Sequence, residues 1–266
     1  MTKSSNKQPI AKEDQSSSNV MNIENIDLDQ AREDLKGLNP EKRLLWGVQN
    51  FRGNFAITTS FGIQSAVLLH MLYKISDGQF SIPILWIDTG YLPKETYLYA
   101  EELCNKLNLN VKVIQSSISP ARMEALYGRL WETNNIKDIE KYHEIRKVKP
   151  LEDAFIEMNI VCWASGVRGK QTDHRKSMTL LDPVRNRLSI RPILEWNKKD
   201  IYYYMQKHNL PPHPLFEKGY STIGDWHSSD PDSIDSKGRD TRFGGLKQEC
   251  GIHVSENIQN KNNNEK

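Results

Sequence analysis

A cysteine near the C-terminal end of the chain has neighbours that bear on its reactivity. Cys250 lies close in sequence to Lys247, His253 and Arg242, and it directly follows Glu249. Nearby cations lower the pKa of a thiol and increase its thiolate fraction, whereas an adjacent carboxylate does the opposite. These residue types are equally consistent with a nucleophilic cysteine and with an incidental exposed one.

A polar loop after the first β-prone run has groups that could bind an anion. The stretch Thr59 to Ser65 leads directly into an apolar helical segment, so its N–H groups would lie at a helix N-terminus. The hydroxyls of Ser60 and Ser65 could donate to phosphate oxygens, and Gly62 lets a ligand approach the backbone. The loop lacks the Gly-Lys-Ser/Thr of a Walker A motif. Taken alone, it fits an ordinary strand-to-helix turn with a capping serine better.

A second loop places an acid and a hydroxyl after an apolar run. Asp88, Thr89 and Gly90 follow the nearly continuous apolar stretch 82–87, which is typical of a buried parallel strand. These groups could flank a ligand at the end of that strand. They could equally serve as the cap of the next helix, where an acid complements the helix dipole.

A third segment concentrates positive charge. Between Arg168 and Arg191 the chain has seven lysines and arginines but two aspartates. Guanidinium groups match the oxygens of phosphate and sulfate in a bidentate manner. A solvated basic surface is an equal alternative for the segment as a whole. Arg168 and Arg175 are better candidates for a site than Arg185 and Arg187, because they lie nearest the end of a predicted strand.

The spacing of apolar residues predicts the elements that position these groups. Strands are expected at 55–59, 82–87, 111–114 and 160–164, and helices at 41–51, 66–75 and 94–107. Strands that alternate with helices imply a mostly parallel twisted sheet with helices on both faces. Ligands of such folds bind beyond the carboxyl ends of the strands, where all three polar loops would meet.

Composition excludes several classes of protein. Of the 266 residues, 37% are hydrophobic, which is enough for the core of one α/β domain. No run approaches the roughly 18 apolar residues of a membrane-spanning helix, and the first residues lack the apolar stretch of a secretory signal. Three cysteines are too few for a disulfide scaffold, so we expect a cytoplasmic protein. The net charge of +2 gives no reason to expect a nucleic-acid or membrane partner.

Seven segments together closely resemble the 3′-phosphoadenylyl sulfate (PAPS) reductases of assimilatory sulfate reduction. They are TTSFGIQSAVLLH, ILWIDTGYLPKETY, EKYHEIRKVKPLEDA, ASGVRGKQTDHR, IRPILEW, HPLFEKGYSTIGDWHSS and DTRFGGLKQECGIH. The first is similar to the modified PP-loop of adenine nucleotide alpha-hydrolase-like folds, which ATP pyrophosphatases and sulfurylases share. The Glu-Cys-Gly-Ile-His ending separates the reductases from those enzymes.

The resemblance implies a role for each matched position. Cys250 corresponds to the nucleophile of the family, whose thiolate attacks the sulfur of the phosphosulfate and releases adenosine 3′,5′-bisphosphate. Reduced thioredoxin, or glutaredoxin in its place, would then free sulfite from the cysteine S-sulfonate. Supporting roles fall to Arg242, Lys247, Glu249 and His253. The implied nucleotide-binding positions are Ser60, Phe61, Gly62, Ser65, Asp88, Thr89, Gly90, Gly166, Arg168, Gln171 and Arg175.

The resemblance also implies an enzyme without a metal or cofactor. Related adenylyl sulfate (APS) reductases hold a four-iron cluster on two cysteine pairs, and the corresponding positions here are Tyr142, His143, Asp225 and Ser228. A cluster is therefore excluded by ligand count, and no Cys or His pair has zinc-site spacing. The segment GDWHSS favours PAPS over APS. At KVKP the chain departs from the frequent Lys-Val-Glu-Pro, and at YLPKET from Tyr-Leu-Phe-Pro-Glu-Thr; both changes leave the implied site residues in place.

Composition and the resemblance together predict the organisation of the chain. Residues 28–227 would form the nucleotide-binding domain, and 228–254 a mobile tail that closes with its cysteine over the bound nucleotide. The polar ends, 1–27 and 255–266, are expected to be disordered. A homodimer is expected from the resemblance alone. The alternatives are a cluster-free APS reductase, a PP-loop nucleotidyltransferase or ATP pyrophosphatase, and a nucleotide-binding sensor with a redox-active cysteine.

Overall fold

Short apolar runs separated by helices give this chain a six-stranded sheet. The computed structural model describes residues 26–76 and 81–254. The strands are β1 (Phe55–Thr59), β2 (Ile84–Ile87), β3 (Val111–Ile114), β4 (Cys162–Ala164), β5 (Leu181–Val184) and β6 (Arg187–Ile190). Their order is β3-β2-β1-β4-β6-β5, and only the β5–β6 pair of the described strands is antiparallel. The predicted mostly parallel sheet is confirmed.

Alternate residues of the central strands pack into two different cores. Phe55 and Ile57 of β1 belong to the larger core, whereas Ala56 between them belongs to the smaller one. This alternation follows from the two-residue period of a strand, and it requires helices on both faces. The helices are α1 (Leu28–Lys36), α2 (Pro40–Asn50), α3 (Ser65–Ser76), α4 (Lys94–Leu107), α5 (Pro120–Tyr127), α6 (Ile136–His143), α7 (Lys149–Glu157), α8 (Asp173–Lys176) and α9 (Lys198–Lys207).

The helices divide between the two faces as their apolar residues require. The larger core contains buried residues of α1, α2, α3, α4 and α9. The smaller core contains Leu151 and Phe155 of α7, which pack with Trp163 of β4. A π-helical turn, Glu144–Val148, joins α6 to α7 without a break. It carries two buried cationic side chains, Arg146 and Lys147, toward the edge of the sheet where the strands end.

Strong local signals were predicted closely, whereas one hairpin was missed. Strand β3 and helix α4 have the expected bounds, while β2 and β4 each begin two residues later than predicted. The β5–β6 hairpin lies inside the positively charged segment 168–191, where no strand was predicted. Pro183 argues against a strand there, but β5 is the edge strand, which tolerates proline. Its turn, Arg185-Asn186, also lacks the usual glycine.

Part of the expected organisation falls outside the described residues. Disorder was predicted for 1–27 and 255–266, of which only Ile26 and Asp27 are described. Asp27 caps α1, because its carboxylate accepts from the backbone N–H groups of Asp29 and Gln30. Across 26–76 and 81–254, no helix combines the length and the apolar character that a membrane crossing needs.

Candidate active site

The carboxyl ends of β1, β2 and β4 open into a cavity of about 220 Å³. Its walls include Thr58 and Thr59 at the end of β1, Ile87 at the end of β2, and the loop that follows β4. This is the edge at which ligands of parallel α/β sheets bind. Two later stretches complete the wall: the loop 221–225 and the C-terminal segment, defined here as residues 238–254.

Most of the residues that the sequence assigned to a site meet at this cavity. Those that line it are Ser60, Gly62, Ser65, Thr89, Gly166, Gln171, Arg175, Arg242, Cys250 and His253. Those that do not line it are Phe61, Asp88, Gly90, Arg168, Lys247 and Glu249. The cysteine thus shares one cavity with the polar loops of the sheet.

The loop after β1 is fixed by its phenylalanine. The Phe61 side chain is fully buried, and its ring packs edge-on against Trp86 with the centroids 4.9 Å apart. Its φ of 45° is costly for a bulky residue, so the buried ring must hold the turn. At Gly62 a Cβ would come within 3.2 Å of Ser60 Oγ, which is closer than ordinary packing allows. Phe61 therefore anchors the loop, while Ser60 and Ser65 face the cavity.

The carboxylate of Asp88, in the loop after β2, accepts hydrogen bonds from other groups of the protein. The Asp88 carboxylate accepts from the backbone N–H of Gly90 at 2.8 Å, from Tyr97 Oη at 2.7 Å and from Gln115 Nε2 at 2.8 Å. These three bonds occupy the carboxylate, so Asp88 shapes the turn rather than the cavity wall. Thr89, the next residue, is the one that lines the cavity.

The loop after β4 forms a network of amide and guanidinium groups. Arg168 is buried and its guanidinium donates to the side chain of Gln64. Burial, reinforced by the positive charge of Arg175, lowers the pKa of Arg168 to about 10, so it remains cationic at neutral pH. Gln171 Oε1 accepts from both the backbone N–H of Arg168 at 3.0 Å and from Arg175 Nη1 at 2.5 Å. Arg168 thus stands behind the wall, and Arg175 forms part of it.

The C-terminal segment is attached to this network through Glu249. Arg175 donates to both carboxylate oxygens of Glu249, with Nε–Oε1 and Nη2–Oε2 distances of 2.8 Å, and Thr172 Oγ1 donates to Oε1 at 2.8 Å. Burial opposes ionisation of Glu249, but the charges of Arg239 and Arg175 outweigh it and lower its pKa to about 2. Arg239 Nε also donates to the carbonyl of Gln248 at 2.9 Å. Glu249 is therefore an ionised anchor directly before the cysteine.

Two more of the predicted supporting residues, His253 and Lys247, make different contacts. The His253 ring stacks on Trp163 with the centroids 5.2 Å apart and the planes at 20°. Desolvation and the charge of Arg175 hold the pKa of His253 well below its ordinary value, so the imidazole is neutral at neutral pH. Lys247 points away from the cavity, where its Nζ pairs with Glu140 of α6 at 2.7 Å. Lys247 thus ties the segment to a helix.

Sequence reasoning missed a buried ion pair on the cavity wall. Lys147 Nζ lies 2.5 Å from Oδ2 of Asp225, and Thr89 Oγ1 donates to Oδ1 of the same carboxylate at 2.5 Å. Asp225 is fully buried, which disfavours its charge, but the charges of Lys147 and Arg242 outweigh burial and hold its pKa below the usual range. Both residues lie in segments that carried the resemblance, KVKP and GDWHSS. That match was the available signal, but Asp225 was weighed only as a position without a cluster cysteine, and Lys147 was not singled out.

The positions compared with iron–cluster cysteines surround this pair. Tyr142 Oη lies 3.1 Å from Nε2 of His227, and Arg242 Nη2 donates to Ser228 Oγ at 3.0 Å. His143 is buried beside them, and burial together with the charge of Lys147 holds its pKa well below the ordinary value. Within the described parts of the chain, no group of three or more His, Cys, Asp or Glu residues could hold a metal ion.

The cavity can bind an anion and present it to a thiol. Four cationic side chains line it, Lys147, Arg175, Arg239 and Arg242. Two carboxylates pair with three of them: Asp225 with Lys147, and Glu249 with Arg175 and Arg239. Burial and the charge of Arg175 lower the pKa of Arg239 to about 10, so it too is cationic at neutral pH. Fixed cations stabilise negative charge that develops on a leaving group, and the thiol of Cys250 lies on the same wall.

Sequence comparisons with known proteins match this chain to phosphoadenosine phosphosulfate reductases. The model of the phosphoadenosine phosphosulfate reductase domain matches residues 54–231. The chain is 54% identical over 210 residues to a phosphoadenosine 5′-phosphosulfate reductase of Synechococcus, covering 79% of this chain and 89% of that protein. It is 46% identical over 230 residues to the enzyme of that name from Synechocystis, covering 86% and 91%.

Solved structures show the same fold. The crystal structure of a phosphoadenylyl-sulfate reductase from Candida auris in complex with phosphate superposes with a TM-score of 0.65 at 24% identity. That match covers 76% of this chain and 95% of the other. A Candida glabrata FMN adenylyltransferase superposes with a TM-score of 0.52 at 14% identity, covering 89% and 83%. Both likenesses concern the fold alone, and they agree with the predicted mostly parallel α/β sheet.

Proposed function

The chain belongs to the phosphoadenosine phosphosulfate reductase family, and from that membership we propose that it reduces PAPS to sulfite with Cys250 as the nucleophile. It is an oxidoreductase of sulfate assimilation. The observation that carries the proposed mechanism is the position of Cys250 on the wall of the cavity formed by the strand-end loops and cationic side chains.

In the first step, the Cys250 thiolate attacks the sulfur of the phosphosulfate. The new bond joins Sγ to that sulfur, and the bond from the sulfur to the bridging phosphate oxygen breaks. Adenosine 3′,5′-bisphosphate leaves with the bond's electron pair, and Cys250 carries an S-sulfonate. The cations of the cavity neutralise charge on the departing phosphate, and the serine hydroxyls of the loop after β1 donate to its oxygens.

In the second step, a dithiol supplies the two electrons of the reduction. One thiolate of reduced thioredoxin, or of glutaredoxin, attacks Sγ of Cys250 and releases sulfite. The second thiol then resolves the mixed disulfide, so the donor leaves as a disulfide and the cysteine returns as a thiolate. This sequence requires a single cysteine in the enzyme. Of the described cysteines, Cys162 is buried in β4 and Cys104 lies in α4, and neither lines the cavity.

The same proposal includes closure of the tail, a homodimeric assembly and a cytoplasmic location. Residues 228–254 close with the cysteine over bound nucleotide and exclude water from the reacting sulfur. Hydrogen exchange with and without adenosine 3′,5′-bisphosphate tests this closure, which requires added protection of those residues. The enzyme works as a homodimer in the cytoplasm, and light scattering of the purified protein tests the dimer.

The proposed function is tested by sulfite release from purified protein with reduced thioredoxin, given PAPS and APS in parallel. We expect turnover of PAPS and little of APS, because the segment GDWHSS resembles that of the PAPS-using branch and the relatives of this chain are named phosphoadenosine 5′-phosphosulfate reductases. Equal or faster turnover of APS would be consistent with the cysteine mechanism but would overturn the assignment of PAPS as the substrate. If neither substrate yields sulfite and the protein releases pyrophosphate from ATP, the chain is a nucleotidyltransferase or a pyrophosphatase instead. Tight nucleotide binding without any turnover would indicate a sensor.

A further inference from the structure

The turn between β5 and β6 is an unusual place for an arginine. Arg185 and Asn186 both have a left-handed backbone, with φ of 52° and 58°. A two-residue hairpin needs this conformation at both positions, and asparagine and glycine adopt it at low cost. Arginine has no such advantage. A residue kept in a disfavoured conformation is a reason to ask what its side chain does.

The Arg185 side chain leaves the hairpin and reaches the C-terminal segment. It is 13% exposed, and its Nη2 donates to the carbonyl oxygen of Gly251 at 2.9 Å. Its Nη1 lies 3.8 Å from Oε1 of Glu152 on α7. The same carboxylate accepts from Arg187 Nη1 at 2.7 Å. Glu152 thus orients the guanidinium, and the guanidinium holds the backbone one residue after the cysteine.

This contact completes the attachment of the cysteine on both sides. On one side, Glu249 is held by the bidentate pair with Arg175. On the other side is Gly251, whose φ of 84° is available at low cost only to glycine. A glycine linkage is easily rotated, so a bond to its carbonyl has a large effect on where the preceding side chain points. Arg185 itself is not among the residues that line the cavity.

We propose that Arg185 is a positioning residue for Cys250. By fixing the Gly251 carbonyl it directs the thiol into the cavity, and it does so without touching substrate. The effect on turnover rests on the proposed function, whereas the effect on the position of the thiol does not. The turn then keeps an arginine at some cost to its own stability, because the side chain is needed at the active site.

The substitution Arg185→Asn separates the two roles of this residue. Asparagine suits the left-handed turn, so the melting temperature should stay the same or rise. The bond to Gly251 is lost, so kcat for sulfite release should fall about tenfold, while the affinity for adenosine 3′,5′-bisphosphate should not change. Arg185→Lys, which can still donate to the carbonyl, should recover part of kcat. Arg129→Asn is the matched control, because Arg129 pairs only with surface glutamates Glu124 and Glu132 among the described residues.

Alkylation of Cys250 by iodoacetamide, followed by peptide mass spectrometry without PAPS, gives a readout that does not need the reaction. We expect Arg185→Asn to be alkylated several times faster than the wild type and Arg129→Asn at the wild-type rate. An unchanged alkylation rate would overturn the proposal, whether or not the protein makes sulfite. A kcat equal to that of the wild type, or a melting temperature that falls in step with activity, would also overturn it. If the wild type makes no sulfite while alkylation still responds to Arg185, the positioning role stands and the proposed function fails.

Discussion

The strand-end loops and the C-terminal segment form one cavity but are held in different ways. The loops after β1, β2 and β4 continue from hydrogen-bonded parallel strands, and the first is anchored by the buried ring of Phe61. The C-terminal segment pairs with no strand of the described sheet. Instead, the guanidinium groups of Arg175 and Arg185 bind its carboxylate and carbonyl oxygens. Arg239, within the segment, binds the carbonyl of Gln248.

The difference indicates a division of labour. The loops are fixed by the core of the domain, so they can bind a nucleotide without rearranging. The segment is held by charge-assisted hydrogen bonds and by side-chain packing, including the His253 ring on Trp163, but by no strand pairing. Its cysteine can therefore be seated or released without breaking a hydrogen bond of the sheet. If this is correct, changes in the segment should alter turnover, and changes in the loops should alter nucleotide affinity.

The largest effect is expected from removing the thiol. Cys250→Ser should lower sulfite release by about 10³-fold or more, because serine cannot form the S-sulfonate. Its affinity for adenosine 3′,5′-bisphosphate, measured by calorimetry, should match that of the wild type. Cys104→Ser is the control and should retain full activity. Full sulfite production by Cys250→Ser would show that the cysteine of the C-terminal segment takes no part in the reaction.

A smaller loss is expected when the anchor before the cysteine loses its charge. Glu249→Gln weakens the pair with Arg175, so kcat should fall about 10- to 100-fold, the worth of a charge-assisted hydrogen bond. Nucleotide affinity should be retained. Glu140→Gln, which removes the more exposed pair with Lys247, should change kcat far less. Equal effects of the two substitutions would show that Glu249 is not the anchor.

The same carboxylate makes a prediction about acid stability. The pKa of Glu249 is about 2 in the folded protein, below its ordinary value of 4.5. Its contribution to the free energy of unfolding is therefore present above pH 4.5 and is lost as the pH falls toward 2. Urea unfolding of the wild type and of Glu249→Gln should differ at pH 7 and converge in acid. If the two proteins still differ in free energy of unfolding at low pH, the ionised carboxylate of Glu249 is not the source of that difference.

The smallest effect is expected in the loops. Ser60→Ala removes one hydroxyl that faces the cavity, so the affinity for adenosine 3′,5′-bisphosphate should weaken about three- to tenfold. At saturating PAPS, kcat and the alkylation rate of Cys250 should not change. A fall in kcat with unchanged affinity would break the division between binding loops and reacting segment.

The sequence predicts the loops better than the segment, for a physical reason. Strand β3 and helix α4 have the expected bounds because their apolar period and capping signals are local. The anchors of the segment depend instead on contacts far apart in the sequence. Arg185 was judged a weaker candidate than Arg168 because it lies farther from the end of a predicted strand. It reaches Gly251 from the turn of the β5–β6 hairpin, which local sequence patterns did not predict.

Two further residues show the same limit. Asp88, assigned to the site with the other residues that follow β2, is occupied by bonds to Gly90 in its own turn, to Tyr97 of α4 and to Gln115 after β3. Lys147 has no local signal of a site, because a lysine on a helix is usually solvated. It is buried here because the π-helical turn directs it at Asp225. Nearness to a strand end predicts where a site lies, but only the fold determines which side chains enter it.

The most direct test of the account is the mass of the protein after reaction with PAPS in the absence of any dithiol. A covalent mechanism at Cys250 requires one sulfonate per chain, on the peptide that contains Cys250, and its release as sulfite when reduced thioredoxin is added. Arg185→Asn should form the same adduct more slowly, and Cys250→Ser should form none. An unmodified Cys250 in a preparation that still produces sulfite with thioredoxin would contradict the account, because the reduction would then bypass the C-terminal segment.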